Sequence, residues 1–325
     1  MGLAVIPAWA QYSDMLAVKP GLRIGMSYMT QVDAQFSASA YSFGGDALAG
    51  EFDNGYVRDS AYAVGSQTWN WGFNDATQIQ GGDRMRFASS SFSGPSTTVS
   101  AREGSPGVRI AWIPHVSTWG RRITFTSVAS LDLRRMEVEG RTSLPASYEM
   151  MSKYYGHGGI EPTLLTLPYA GTYEGPGPLL DSFPLDTKVS ASPDGAILRR
   201  YMSLDGYLVS LGAGGEMHLA ITRRLSMFLQ SQFLMNIYLG DFEYADSFEL
   251  GGAFGLTQSS AGVSEVLFGI SGGGGLHYDI GETTSLLLSV SKVLSKKLEG
   301  EEAGRSYQLG FNDGYLVLAG FQVEY

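Results

Sequence analysis

Tyr315-Leu316-Val317-Leu318-Ala319-Gly320-Phe321-Gln322-Val323-Glu324-Tyr325 closes the chain. Counting back in twos gives Tyr325, Val323, Phe321, Ala319, Val317 and Tyr315, all apolar or aromatic. The other parity ends in Gly320, Gln322 and Glu324. Successive side chains of a strand point to opposite faces, so this stretch is a strand with one greasy face and one that turns polar.

The same alternation recurs along the chain. The first strand is read over about 19–38, with Leu22, Ile24, Met26, Tyr28, Val32, Ala34 and Phe36 on one face. Pro106 to Ala111 repeats the opening of that strand, Pro20 to Gly25, which suggests similar positions near one rim. Val108, Ile110 and Trp112 form the outward set of the second strand, and Phe125, Ala129, Leu131 and Leu133 that of the third. Tyr207, Val209, Leu211, Met217 and Leu219 mark the fourth, followed by Leu225, Met227, Leu229, Phe233, Met235 and Leu239 in the fifth. Val266, Phe268, Ile270, Leu276 and Tyr278 mark the sixth, and Leu286, Leu288 and Val290 the seventh. The strands fall at about 19–38, 96–114, 119–139, 201–221, 224–242, 262–280, 283–298 and 311–325. A hairpin over 67–93 would raise the count from eight to ten.

A final strand ending on an aromatic residue resembles the closing strand of bacterial outer-membrane β-barrels, with small OmpA-like and porin-like barrels as the nearest pattern. In that family the end of this strand is read by the barrel-assembly machinery. Gly320, Phe321, Val323 and Tyr325 resemble that signal, which departs at Leu318, where a polar residue is usual. Connection lengths agree with the resemblance. Short turns at 114–119, 222–224 and 281–283 alternate with long segments at 40–105, 140–200, 240–262 and 298–312, as periplasmic turns alternate with extracellular loops. The fold class expected is all-β, a transmembrane up-and-down antiparallel barrel over 19–325. Residues 1–10 read as the remnant of a signal peptide, since Ala8-Trp9-Ala10 has the form of a cleavage site before Gln11. Residues 11–18 read as an N-terminal periplasmic segment.

Composition sets further bounds. The 43 glycines and the 12 % aromatic share among 325 residues favour strands and turns over helices. A net charge of −10 argues against nucleic acid as a partner. With no cysteine, disulfides and zinc–thiolate sites are excluded. No apolar run is long enough for a membrane helix.

The chemistry expected is confined to the lumen. An eight-stranded barrel has room inside only for side chains, and charges there must be satisfied. The inward parity supplies Arg23, Arg109, Asp132, Arg134, Glu216, His218, Glu265, His277 and Asp279 as a network closing the pore near the periplasmic end. Gly212, Gly214, Gly273 and Gly275 would leave space for large partners. Only four histidines exist, His115, His157, His218 and His277. The reading therefore expects no enzyme, no cofactor and no metal site; Asp53-Asn54-Gly55 and Asp241-Phe242-Glu243 are read as solvated turn carboxylates rather than a calcium site. The expected role is structural or surface-interacting, with a passive channel for small solutes as the alternative. The expected setting is the bacterial outer membrane. The expected partners are outer-membrane lipid, the assembly machinery and an extracellular ligand at the loops, with the chain acting as a monomer.

Overall fold

The computed structural model describes residues 18–44, 50–60, 65–81, 83–119, 122–158, 165–250 and 253–325. The expected signal-peptide remnant and the segment from 11 to 17 lie outside the described residues.

Eight antiparallel strands pair in chain order and the last returns to the first. They are β1 (Gly21–Ala38), β2 (Thr97–Ile113), β3 (Ile123–Gly156), β4 (Asp186–Ala220), β5 (Leu225–Leu250), β6 (Ala253–Asp279), β7 (Thr284–Ser295) and β8 (Tyr315–Glu324). β1 pairs with β2 on one side and with β8 on the other, so the pairings close into a ring. At the closing seam Gly25 lies opposite Gly320. A Cβ on Gly25 would stand 2.6 Å from the Ala319 carbonyl oxygen, so this pair tolerates no side chain without displacement of backbone.

Two tight turns are built alike. In each, the last residues before the turn donate backbone hydrogen bonds to the first residue after it: Ile221 and Thr222 to Leu225, and Ile280 and Gly281 to Thr284. The parallel sequences Met217–Ile221 and Leu276–Ile280 thus end in the same local geometry. The connection at 114–119 is more structured than expected, since Val116–Trp119 pairs with the start of β3.

Two expectations fail on β1 and β2. The repeated Pro-Gly-x-Arg-Ile does not occupy one rim: Pro20 precedes β1, whereas Pro106 sits within β2 opposite Tyr28, because neighbouring strands run antiparallel. Nor does one face of β1 run unbroken from Leu22 to Phe36. Leu22, Ile24, Met26 and Tyr28 point outward, but Val32, Ala34 and Phe36 point inward. A register shift between Met29 and Val32 inserts the extra residue that exchanges the faces.

Four strands are much longer than the sequence suggests. Residues 141–156 and 186–198, expected as loop, extend β3 and β4, and 141–154 pair with 186–201, with one irregularity between Ala146 and Tyr148. Residues 240–250 and 253–262, also expected as loop, continue the β5–β6 ladder. The reason lies in the pattern. On β5 the outward positions are apolar up to Leu239, Ser231 apart, and then include Asp241, Glu243 and Glu249, while the inward positions Gln230, Gln232 and Asn236 give way to Phe242, Tyr244 and Phe248. The strand continues straight, but its hydrophobic face switches sides. β3 and β4 switch at the same level, where the outward residues Arg135, Glu137 and Asp205 form ion pairs beside the Arg135–Tyr207 and Tyr207–Leu239 pairs.

The ring therefore has a lower part with an apolar exterior and an upper part with a charged exterior and an apolar interior. The upper part carries an extension. Arg84–Gly94 pairs with residues 147–156 of β3, outside the ring, so the segment 67–93 adds no ninth and tenth strand to it. Phe52, Trp71, Phe73, Phe87, Tyr155 and Leu180 form a buried cluster in this extension, with Phe87 and Tyr155 edge to face at 5.5 Å.

Candidate functional site

The interior of the lower ring is built from the inward parity of all eight strands. At its turn-bearing end Arg23 of β1 reaches across to Glu216 of β4, Nη1 to Oε1 2.5 Å, and its Nε donates to Oε1 of Gln322 at 2.8 Å. The other Glu216 oxygen lies 2.9 Å from Nε2 of His218. Arg23 and Glu216 are 4 % and 3 % exposed. Arg23 also stands over the ring of Phe228, 5.7 Å from its centroid. The His218 and His277 rings meet edge to face, 6.0 Å between centroids.

A second layer lies above. Arg134 bonds Asp132 through Nε and Nη2. Arg109, directly opposite Asp132 in the β2–β3 ladder, finds neutral acceptors: its Nη2 donates to Gln232 at 2.6 Å and to Ser130 at 3.1 Å. Gly212 makes this possible, since a Cβ there would stand 2.8 Å from the Gln232 oxygen, and Gly275 likewise leaves space for the Phe228 ring. Between this layer and Leu208, Leu234, Val293, Phe311 and Leu316 remains a cavity of about 20 Å³, a volume suited to a water molecule and not to a solute.

Above the cavity the interior is apolar, from Met29 and Leu234 up to Phe242, Tyr244 and Leu309. It is topped by a second buried ionic group: Arg200 and Arg305 both bond Asp246, at 2.9 Å and 2.6 Å, and Arg305 lies 4.0 Å over the Tyr244 ring.

Seven of the nine residues named from sequence occupy the lower interior as described: Arg23, Arg109, Asp132, Arg134, Glu216, His218 and His277. Two do not belong with them. Glu265 lies farther up β6, is part-exposed and faces Lys296 at 3.7 Å; counting parity fixes its face but not its height. Asp279 is at the mouth, where Ser285 donates to it at 2.8 Å. Sequence reasoning missed Ser130, Gln232 and Gln322 as partners, although all three fall on the inward parity. It also missed Arg200, Asp246 and Arg305, whose strands it read as loops.

The remaining candidates stand apart. Asp53 and Asn54 accept backbone N–H groups of Ser90 and Ala88, which fixes a turn against a strand. His157 lies 3.5 Å from Asp83 in the extension, and His115 in the connection before Val116–Trp119 accepts a bond from Ser127 through its carbonyl. Asp241 and Glu243 are exposed on the outer face of β5. Of the residues read as an assembly signal, Phe321, Val323 and Tyr325 point outward at the seam, and the Tyr325 hydroxyl accepts the Trp112 indole N–H at 2.7 Å.

His218 Nε2 faces Glu216, and among the described residues its Nδ1 has no hydrogen-bond partner.

No protein-family model matches the chain, and no curated protein matches it significantly. Among solved structures, the chain is similar to the outer membrane protease OmpT from Escherichia coli, with 8 % identity over 96 % of this chain and 100 % of that one and a TM-score of 0.34. It is also similar to a FadL homologue of Pseudomonas aeruginosa, with 8 % identity over 94 % of this chain and 90 % of that one and a TM-score of 0.20. For the toluene transporter TodX of P. putida the identity is 10 %, the coverage 96 % and 91 %, and the TM-score 0.19.

Proposed function

We propose that this chain is an integral outer-membrane β-barrel whose lumen is closed and whose working surface is the extension above the membrane. The observation that carries the reading is the inversion of the hydrophobic face at the level of Tyr28, Tyr207 and Leu239. Below it the exterior is Ile24, Met26, Ile110, Leu131, Leu211, Phe233, Phe268 and Leu288, side chains that water would reject. From Met227 to Leu239 a strand rising about 3.3 Å per residue and tilted about 45° climbs roughly 28 Å, against about 25 Å for the apolar band of such barrels. Tyr28, Tyr207 and Tyr315 border this band above, and Trp112, Tyr278 and Tyr325 border it below, the placement expected of aromatic girdles.

The filled interior supports a structural or surface-interacting role over a channel. Two ionic layers, the apolar core above them and the Arg200–Asp246–Arg305 group fill the described interior and support this reading. Phe183, Leu185, Val189 and Tyr173 are exposed on the extension and are the residues available to an extracellular ligand. Assembly through the β8 terminus, a monomeric state and the absence of catalysis complete the proposal.

The test is fluorescence quenching by brominated lipid in reconstituted vesicles. Variants retaining Trp112 alone are expected to be quenched, and variants retaining Trp71 alone, buried in the extension, are expected not to be. Equal quenching of both, or of neither, overturns the membrane placement.

A further inference from the structure

The mouth of the ring brings His277 and Asp279, both read from sequence as lumen residues, together with Glu324. His277 and Asp279 are two residues apart on β6 and so project from the same face. Glu324 arrives from β8. β7 lies between, with Asp279 opposite Ser285 and Ser285 opposite Gln322. One donor atom from each of His277, Asp279 and Glu324 lies within 4.8 Å of the others.

Each member is left with unused capacity. His277 is 0 % exposed, and its ring nitrogens make no well-formed hydrogen bond, with the Gln322 side chain beside the ring. Its Nδ1 lies 3.5 Å from Oδ1 of Asp279, beyond a good hydrogen bond. A buried imidazole so poorly bonded is costly unless something accepts its lone pair. Ser285 Oγ sits between the carboxylates, donating to Asp279 at 2.8 Å and lying 3.4 Å from Glu324. Among the described residues the cation within ion-pair distance of the cluster is Lys19, 3.4 Å from Glu324, and its side chain is half exposed and able to swing clear.

We propose that His277, Asp279 and Glu324 form a binding site for a divalent transition-metal ion, Zn²⁺ by its ligand set. One imidazole nitrogen and two carboxylate oxygens suit zinc, leaving a fourth position to water, whereas all-oxygen sites suit magnesium and calcium. Bonds of about 2.0–2.2 Å would draw the donors to roughly 3.4 Å from one another, a contraction of about an ångström that the two rim carboxylates can supply by rotation. Ser285 would orient the carboxylates, as hydrogen-bond partners behind metal ligands do. The ion would tie β6 to β8 across β7 and so fasten the terminal strand. This inference rests on the mouth alone and stands whether or not the lumen conducts.

The test is zinc titration of the full-length folded protein in detergent by calorimetry, with Mg²⁺ and Ca²⁺ as comparisons. One Zn²⁺ per chain is expected, with affinity falling about tenfold or more in Glu324→Gln and Asp279→Asn, and with little heat from Mg²⁺ or Ca²⁺. Both variants keep the shape of the rim, and His277→Ala is added where circular dichroism shows it folded. Zinc is also expected to raise the unfolding temperature of the parent protein and not of Glu324→Gln. Absence of saturable zinc binding, or zinc binding unchanged in both rim variants, overturns the site.

Discussion

Arg23 and Glu216 meet at 2.5 Å across the ring, one from the first strand and the other from the fourth. Both side chains are buried, and the carboxylate is shared with His218. Removing one member of such a pair leaves an uncompensated charge, which typically costs about 3–5 kcal/mol, whereas replacing both by apolar groups of similar volume costs far less. Glu216→Ala is therefore expected to lose about 3–5 kcal/mol in urea unfolding from detergent micelles, and Arg23→Leu/Glu216→Leu markedly less. Additive losses in the double variant would contradict a shared pair.

The exterior makes a second prediction. Phe233 lies midway along the apolar stretch of β5, and Asp241 lies just past its end. An arginine facing lipid at mid-depth costs about 2–4 kcal/mol, falling toward zero near the interface. Phe233→Arg is expected to destabilise the protein in vesicles by about that amount, and Asp241→Arg by less than about 1 kcal/mol. Equal effects would mean that no lipid boundary lies between the two positions.

The extension has its own pH dependence. Burial among Phe52 and Phe87 pushes the Tyr155 hydroxyl up to about 12 from its ordinary 10.0. The unfolded chain loses this proton at a lower pH than the folded one. Stability is therefore unaffected below about pH 10 and falls as pH rises from there toward 12. Limited proteolysis of the extension is expected to accelerate over that window, and Tyr155→Phe is expected to lessen the acceleration.

Assembly through the terminal strand predicts that deletion of 321–325 blocks insertion into the outer membrane, read by heat-modifiable migration of the membrane fraction. The deletion removes four of the β1–β8 register pairs, Gly21–Glu324, Leu22–Val323, Arg23–Gln322 and Ile24–Phe321. It also removes the Trp112–Tyr325 bond. Normal insertion of the truncated chain would remove the claim that this stretch is an assembly signal.

The lower ring was legible because its pattern is simple. From Met227 to Leu239 and from Leu276 to Val266 every second residue faces outward and, Ser231 apart, none is polar, and the tight turns are short. Inward polar residues such as Arg23, Glu216 and His218 could be named by parity alone. What parity did not reveal is where the environment outside the protein changes. Past Leu239 the outer face turns from apolar to charged, so Asp241 and Glu243 face out and Phe242 and Tyr244 face in, as the proposed membrane boundary requires. A straight strand then looks like the end of one. The same effect hid the upper halves of β3, β4 and β6, and with them the Arg200–Asp246–Arg305 group. On β1 the failure was local, since nothing in Met29-Thr30-Gln31-Val32 marks the register shift. The mouth cluster was half visible: His277 and Asp279 share a face by spacing, but Glu324 joins them only through the order β6–β7–β8.

The central claim is that these layers close the lumen, and single-channel recording tests it most directly. Purified, refolded protein incorporated into a planar bilayer is expected to give no conductance steps above the bare-membrane baseline at neutral pH. Stable, reproducible steps from the unmodified protein, abolished by bulky substitutions at lumen positions such as Ser271→Trp, would contradict it.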